Sequence, residues 1–258
     1  MADNAPSPTI SSAPSSGMLK FELIDEGESR SDLAVRRETK FPIDIADISL
    51  VRSLLQTNTT RQIHNEPVST VRSIYFDDAR LSACHANLDG MGLRRKLRLR
   101  WYDQLLPGRD LFLEVKWRNN RVTGKHRLQL RADRDVGACD YVELHSALRQ
   151  VVPNRRLPDL LANPEPIVVV EYQREHFASA CGQLRVTIDY DIRFYRQLGH
   201  SQIRMEFPQR LPRIAVLEGK TPVGLERELR ALLYPLTLRS GRCSKYVHGC
   251  QQLGLVEL

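Results

Sequence analysis

The chain has 258 residues, 41% of them hydrophobic, which is enough to build one large domain or two small ones around a real core. Its formal net charge is +7 and its pI about 9.3, so an anionic partner is favoured: nucleic acid, a lipid surface or polyphosphate. Five cysteines without a CxxC spacing argue against a disulfide framework or a structural zinc site, and no segment approaches the roughly 18 apolar residues of a membrane span.

Residues 1–17, rich in Ala, Pro and Ser, predict a tail without a packed core, followed by a poorly defined lead-in over 18–33. The folded domain is expected over 34–253, with 254–258 as a C-terminal tail. VRRETKFPI (35–43) predicts a first strand stopped by Pro42, and Asp44 is placed to cap a helix running to about Leu55. VSTVRSIYFDD (68–78) predicts the next strand, entering a short helix near Ala79–Asn87. Strands at Leu93–Tyr102 and Leu111–Arg118 follow, and Asn119-Asn120 suits a tight hairpin into a strand over 121–130. Tyr141–Val151 has a helical pattern. Residues 153–166, with four prolines, predict a loop or a short helix. IVVVEYQREHF, LRVTIDYDIRFY and RIAVLEGK predict three further strands, and two helices are expected at Gly224–Leu233 and Gly241–Leu253.

Within these strands charge alternates with apolar residues. A period of two puts Arg94, Lys96, Arg98 and Arg100 on one face of LRRKLRLRW, and Glu114, Lys116 and Arg118 on one face of LFLEVKWR. Arg185, Thr187, Asp189, Asp191 and Arg193 are likewise expected to share a face. The chain has 31 Arg but only seven Lys, and four of the lysines (Lys40, Lys116, Lys220 and Lys245) fall in these segments. Three Glu-x-Lys triplets recur: Glu38-Thr39-Lys40, Glu114-Val115-Lys116 and Glu218-Gly219-Lys220. Each places a carboxylate and an ammonium on one face. That suits cross-strand ion pairs that merely support a sheet. It equally suits a site where carboxylates hold a hard cation while Lys and Arg take phosphate oxygens. Asp189 and Asp191 divide evenly between metal ligation and balancing nearby arginines. His176 reads as structural rather than as a catalytic base. No glycine-rich phosphate loop, HExxH or GxSxG motif is present, so phosphate would have to be held by side chains.

Hairpin-linked strands with a few helices make an α+β fold. Its charged face either lies open to water or is enclosed in a barrel. Here the ordered segments RRETKF, YFDD, KLRLRWY, LEVKW, VEYQREHF, RVTIDYDI, AVLEGK and SKYVHG resemble the VTC domain, the polyphosphate polymerase domain of the vacuolar transporter chaperone family. That domain belongs to the CYTH-like triphosphate tunnel metalloenzymes. The resemblance covers about residues 34–253 and implies a closed antiparallel tunnel of eight strands, with a polar basic interior and helices packed outside. It implies transfer of the γ-phosphoryl group of ATP to a polyphosphate chain with release of ADP. Lys40, Arg98, Arg100, Lys116 and Lys220 are then expected to be catalytic. Arg174, Arg185, Ser244, Lys245 and Tyr246 would bind substrate, with Ser244 and Tyr246 flanking Lys245 at the tunnel mouth. Glu218, with Glu114, Glu38 and Asp189 in support, would hold Mn2+ or Mg2+. The expected partners are ATP, triphosphate and polyphosphate rather than nucleic acid, and a membrane-protein partner stays open. A cytoplasmic, stand-alone member is expected, since the sequence given carries neither the sensory domain nor the membrane segments of the eukaryotic complex. A hydrolase using the same tunnel, or a non-enzymatic polyphosphate-binding module, are the competing functions. Arg118 has no role in this scheme.

Overall fold

The computed structural model describes residues 17–27, 36–120, 122–152 and 164–257. The expected tail up to Ser16, and most of the proline-rich 153–166 segment, lie outside these residues. Among the described residues eleven strands are present: β1 (Phe21–Gly27), β2 (Arg36–Asp44), β3 (Thr60–Gln62), β4 (Ser69–Asp77), β5 (Leu93–Tyr102), β6 (Asp110–Asn119), β7 (Val122–Ala132), β8 (Glu165–Ala178), β9 (Arg185–Arg196), β10 (Gln209–Arg210) and β11 (Ile214–Pro222). Five α-helices accompany them among the described residues: α1 (Ile48–Asn58), α2 (Ser82–Leu88), α3 (Tyr141–Val151), α4 (Glu226–Leu233) and α5 (Lys245–Gln252).

All strands join one antiparallel sheet in the order β1-β7-β6-β5-β4-β8-β9-β11-β2, with β3 added to β8 and β10 to β9. The eight expected strands are all there. The three extra ones, β1, β3 and β10, correct the count. The expected closure is corrected as well. Among the described residues β1 and β2 are both free edges, and no backbone ladder joins them. Pro42 is tolerated inside β2 because an edge strand need not donate on both sides.

The sheet nevertheless curls. Lys116 on β6 reaches Glu38 on β2 at 3.6 Å, although five strands separate β6 from β2 in the ladder order. Where the two walls meet, the contact is a side-chain ion pair across a charged concave face rather than a backbone ladder. Right-handed strand twist favours such curling, and inward-pointing long side chains fill the space that a closed ladder would have narrowed.

The apolar alternation goes to the convex side. Leu97, Leu99 and Trp101 of β5, with Leu111, Leu113 and Val115 of β6, pack under Leu144, Ala147 and Leu148 of α3. Phe41, Ile188 and Leu217 of β2, β9 and β11 pack under Val51 and Leu55 of α1 and Leu229 and Leu233 of α4. At Gly219 a Cβ would stand 2.5 Å from a Leu229 methyl, so glycine lets α4 sit directly on β11.

The expectation that helices pack only outside is corrected by α5. It lies against the concave side at one end, with Tyr246, Val247 and Cys250 on Val168, Val170, Ile192 and Phe194. A Cβ on Gly249 would meet the Phe194 ring at 2.9 Å. Strand β9 makes this apolar end possible. Its register with β8 slips between Glu171 and Gln173, and Asp191 takes φ +48°. The extra residue flips the alternation. Arg185, Thr187 and Asp189 face the concave side, as do Ile192 and Phe194. Asp191 and Arg193 turn to the convex side, paired with each other at 2.6 Å, and Arg193 also meets Glu171 at 3.3 Å. The expected five-residue charged face is therefore broken after Asp189.

Candidate active site on the concave face

One wall is built by β5, β6 and β7 around Glu114. This carboxylate is fully buried and meets four cations: Arg98 at 2.6 Å, Lys125 at 2.5 Å, Arg127 at 3.5 Å and Arg100 at 3.6 Å. Burial alone would raise its pKa, but Arg98, Arg100 and Lys125 hold it well below the usual carboxylate range. Arg98 also donates to Tyr75 Oη at 2.8 Å and Arg100 to Ser73 Oγ at 3.1 Å, which fixes both guanidinium planes. Arg127 stacks over Phe112 at 3.9 Å.

Beside this cluster Lys96, Lys116 and Lys125 stand at directly opposed positions of three neighbouring strands. The row is electrostatically loaded. Burial, with Lys40, Lys116 and Arg94 nearby, pushes Lys96 down to about 7. Burial also brings Lys125 down to about 7, since Glu114 is shared with three arginines and only partly offsets it. Glu38 pulls Lys116 upward, yet burial, Arg98 and Lys40 together outweigh it and leave its pKa lowered.

The facing wall comes from β2, β8, β9 and β11. Lys40, Glu218 and Thr187 are opposed across the ladder. Lys40 lies 3.1 Å from Glu38 and 3.8 Å from Glu218, and Lys220 lies 3.0 Å from Glu218. Glu38 is depressed to about 2: burial opposes ionisation, but Lys116, Lys40 and Lys220 override it. Burial likewise opposes ionisation of Glu218, and Lys220, Lys40 and Arg174 hold it well below the ordinary value. One strand over, Asp189 is completely buried and held bidentately by Arg174 at 2.5 and 2.7 Å and by Lys245 at 2.6 Å. Arg174 and Lys245 both lie over the Tyr172 ring. The segment leading into α5 touches both walls: Lys96 donates to Ser244 Oγ at 2.6 Å and Lys40 to the Cys243 carbonyl at 3.4 Å.

A model of the VTC domain family matches residues 35–254, from the start of β2 past the end of α5. The chain belongs to the VTC domain family. No curated protein matches it. Among solved structures it is similar to a candidate adenylyl cyclase from Hippeastrum, described as having a dominant triphosphatase activity. The identity is 16%, the TM-score 0.49, and the match covers 83% of this chain and 94% of that one. It is also similar to a candidate adenylate cyclase from Bacillus halodurans, at 11% identity and TM-score 0.46, covering 81% and 94%.

In this VTC domain the sequence-predicted residues fall into three groups. Lys40, Glu38, Lys116, Glu218 and Lys220 come together, as do Arg98, Arg100 and Glu114, and a third group holds Arg174, Asp189 and Lys245. Ser244 joins them as the N-cap of α5. Arg185 stands at the exposed rim opposite Lys220. Tyr246 is not at a mouth: it is buried, and its hydroxyl donates to Asp77 Oδ2 at 2.7 Å. Half-buried His176 makes a ring-edge contact with His64, and burial with Arg174 nearby pushes it down to about 4, so it is a neutral imidazole.

Of the four carboxylates expected to hold a metal, Glu114 and Asp189 are each saturated by cations. Among the described residues no three Asp, Glu, His or Cys side chains converge as a ligand cage. Glu38 and Glu218 are held more loosely, each by two lysines at 3.0–3.8 Å, and Thr187 Oγ1 opposite Glu218 is buried with no hydrogen-bond partner among the described residues. Two carboxylates with water and substrate oxygens are a normal set for Mg2+ or Mn2+, so these residues fit such an ion.

Lys96, Lys125 and Arg127 were absent from the predicted site. A signal for the last two existed in part: a tight turn at Asn119-Asn120 puts Lys125 and Arg127 on the same face as Glu114 and Lys116, but it would set Lys125 opposite Glu114, whereas the observed register, with Asn119 opposite Val122, sets Lys125 opposite Lys116 and Arg127 opposite Glu114. A surface hollow of about 450 Å3 between Gln104–Gly108 and Asp135–Ala138 carries no comparable chemistry.

Proposed function

We propose that this VTC domain is a metal-dependent phosphotransferase that moves the γ-phosphoryl group of ATP onto a polyphosphate chain and releases ADP. The observation that supports this most is the charge imbalance of the concave face. On the convex side buried carboxylates meet their arginines in closed sets, such as Arg52 and Arg61 on Glu175. On the concave side the lysines and arginines outnumber Glu38, Glu114, Asp189 and Glu218 by a wide margin, and Lys96, depressed first by burial, is lowered further by Lys40, Lys116 and Arg94. A triphosphate supplies the missing negative charge.

In this scheme Arg98, Arg100, Lys125 and Arg127 hold phosphate oxygens from one wall, while Lys40, Lys220, Arg174 and Lys245 hold them from the other. Guanidinium forks preset by Glu114, Tyr75 and Ser73 need little reorganisation as charge spreads over the equatorial oxygens. The terminal phosphate of the acceptor attacks, so no protein nucleophile is required. A divalent ion held by Glu38 and Glu218 supplies further charge neutralisation when bound. A hydrolase differs only in the acceptor, water in place of phosphate.

Incubation of the protein with ATP and Mn2+ or Mg2+ should yield long-chain polyphosphate and ADP. Release of inorganic phosphate without polymer selects the hydrolase, and binding without turnover selects the binding module. Glu218→Gln should lower turnover about 100-fold or more while tripolyphosphate still binds; unchanged turnover would remove Glu218 from the site.

A further inference from the structure

The lysine row does not end at Lys96 and Lys116. One step outward on the same strands and the same face, Arg94 and Arg118 are directly opposed. At a rise of about 3.3 Å per residue they lie roughly 7 Å beyond the lysines. Arg242 adds a third cation from the segment that enters the concave face. Its guanidinium lies against Gly90, within about 3.1 Å of where a Cβ would stand, and the next two residues, Cys243 and Ser244, accept from Lys40 and Lys96.

No carboxylate pairs with any of the three among the described residues. Arg118 donates to the Asn120 carbonyl at 2.6 Å and Arg94 to the Met91 carbonyl at 3.2 Å, which leaves most guanidinium N–H groups open. Burial, then Arg118 and Arg242, lower the pKa of Arg94, so the three charges feel one another. Like charges gathered without a counter-charge form a site for an anion. Arg118, which the sequence left without a role, belongs to it.

We propose that Arg94, Arg118 and Arg242 form a polyphosphate-binding collar at this end of the concave face, engaging phosphates of a chain that extends beyond the triphosphate held inside. The inference rests on the proposed function and deepens it by assigning a site for the polymer. A bare phosphate chain fits better than nucleic acid. The exposed apolar neighbours are Met91 and Leu93, not the aromatic platforms on which bases stack, and the collar leads directly into a face crossed by the 3.6 Å Glu38–Lys116 pair.

The test compares tripolyphosphate, long-chain polyphosphate and single-stranded DNA of equal charge. Binding is measured by calorimetry across a salt series for the unaltered protein, the Arg94→Ala/Arg118→Ala/Arg242→Ala variant, and Arg95→Ala, which removes an exposed cation from the opposite face. Circular dichroism checks that each variant is folded. The triple variant should bind tripolyphosphate within about twofold of the unaltered protein, lose about tenfold or more for the long chain, and show a log-affinity against log-salt slope shallower by about 2 for that chain. Arg95→Ala should match the unaltered protein, and replacing all three arginines by lysine should restore most of the long-chain affinity. Equal losses on short and long chains, or none on the long chain, would overturn the collar alone. DNA held as tightly through the same arginines would overturn its assignment to polyphosphate. Failure of the unaltered protein to bind tripolyphosphate would overturn the proposed function and the collar together.

Discussion

Glu114 illustrates how single residues organise this site. One buried carboxylate anchors two arginines, a lysine and, more loosely, a third arginine. Removing its charge leaves these cations facing one another. Glu114→Gln is expected to cost about 3–5 kcal/mol at neutral pH, measurable by urea unfolding. The pH dependence has a definite sign. Glu114 is held well below its ordinary value of 4.5, and Glu38 and Asp189 lie at about 2. A depressed carboxylate stabilises the fold above its unfolded pKa and loses that contribution as pH falls through the folded one. Stability should therefore decline from about pH 4.5 towards pH 2, and less steeply in Glu114→Gln. An equally steep decline in the variant would show that Glu114 is not the residue responsible. The pairing of Glu114 with Arg98 was legible as opposite charges on neighbouring alternating strands. Its burial was not, because burial depends on how far the sheet curls.

Among the elements, α5 is the one whose placement matters most to the site. Its first turn carries Ser244 and Lys245 to Lys96 and Asp189, and Tyr246 ties it to the start of α2. Asp77 also accepts from the backbone N–H groups of Asp78, Ala83 and Cys84, so one carboxylate fixes the entry to α2 and the position of α5. Tyr246→Phe keeps the ring stacked on Tyr75 but removes that tie. The expected cost is about 1–3 kcal/mol in urea unfolding, with a raised KM for the triphosphate substrate proposed above, because the helix that carries Lys245 loses its tie to Asp77. An unaltered KM would detach α5 from substrate binding. Among the described residues eight strands and five helices were legible from period and turn residues, although Asp44 caps a 3-10 turn over Ile45–Asp47 and α1 begins only at Ile48. β1, β3 and β10 were not: β3 and β10 have three and two residues, too few to display alternation, and β1 lies in a segment where charged residues interrupt the pattern. The β9 bulge was invisible for another reason. A strict period of two continues through Asp191 and Arg193, and nothing in the local sequence counts the extra residue.

For the whole molecule, the sequence specified a charged face but not how its ends approach each other. That outcome brings together long-range pairs such as Glu38 with Lys116, which no local pattern predicts. Among the described residues no helix is long and apolar enough to cross a membrane. The distribution of amines has a practical consequence. Six of the seven lysines (Lys40, Lys96, Lys116, Lys125, Lys220 and Lys245) contact the site, and only Lys20 lies exposed on the outside. Acylation by an amine-selective ester, mapped by mass spectrometry, thus becomes a footprint of the interior with a built-in reference. Lys96 and Lys125, part-neutral near pH 7, should acylate first. Tripolyphosphate should shield the six and spare Lys20, whereas uniform acylation with and without it would mean that the lysines do not line the binding face.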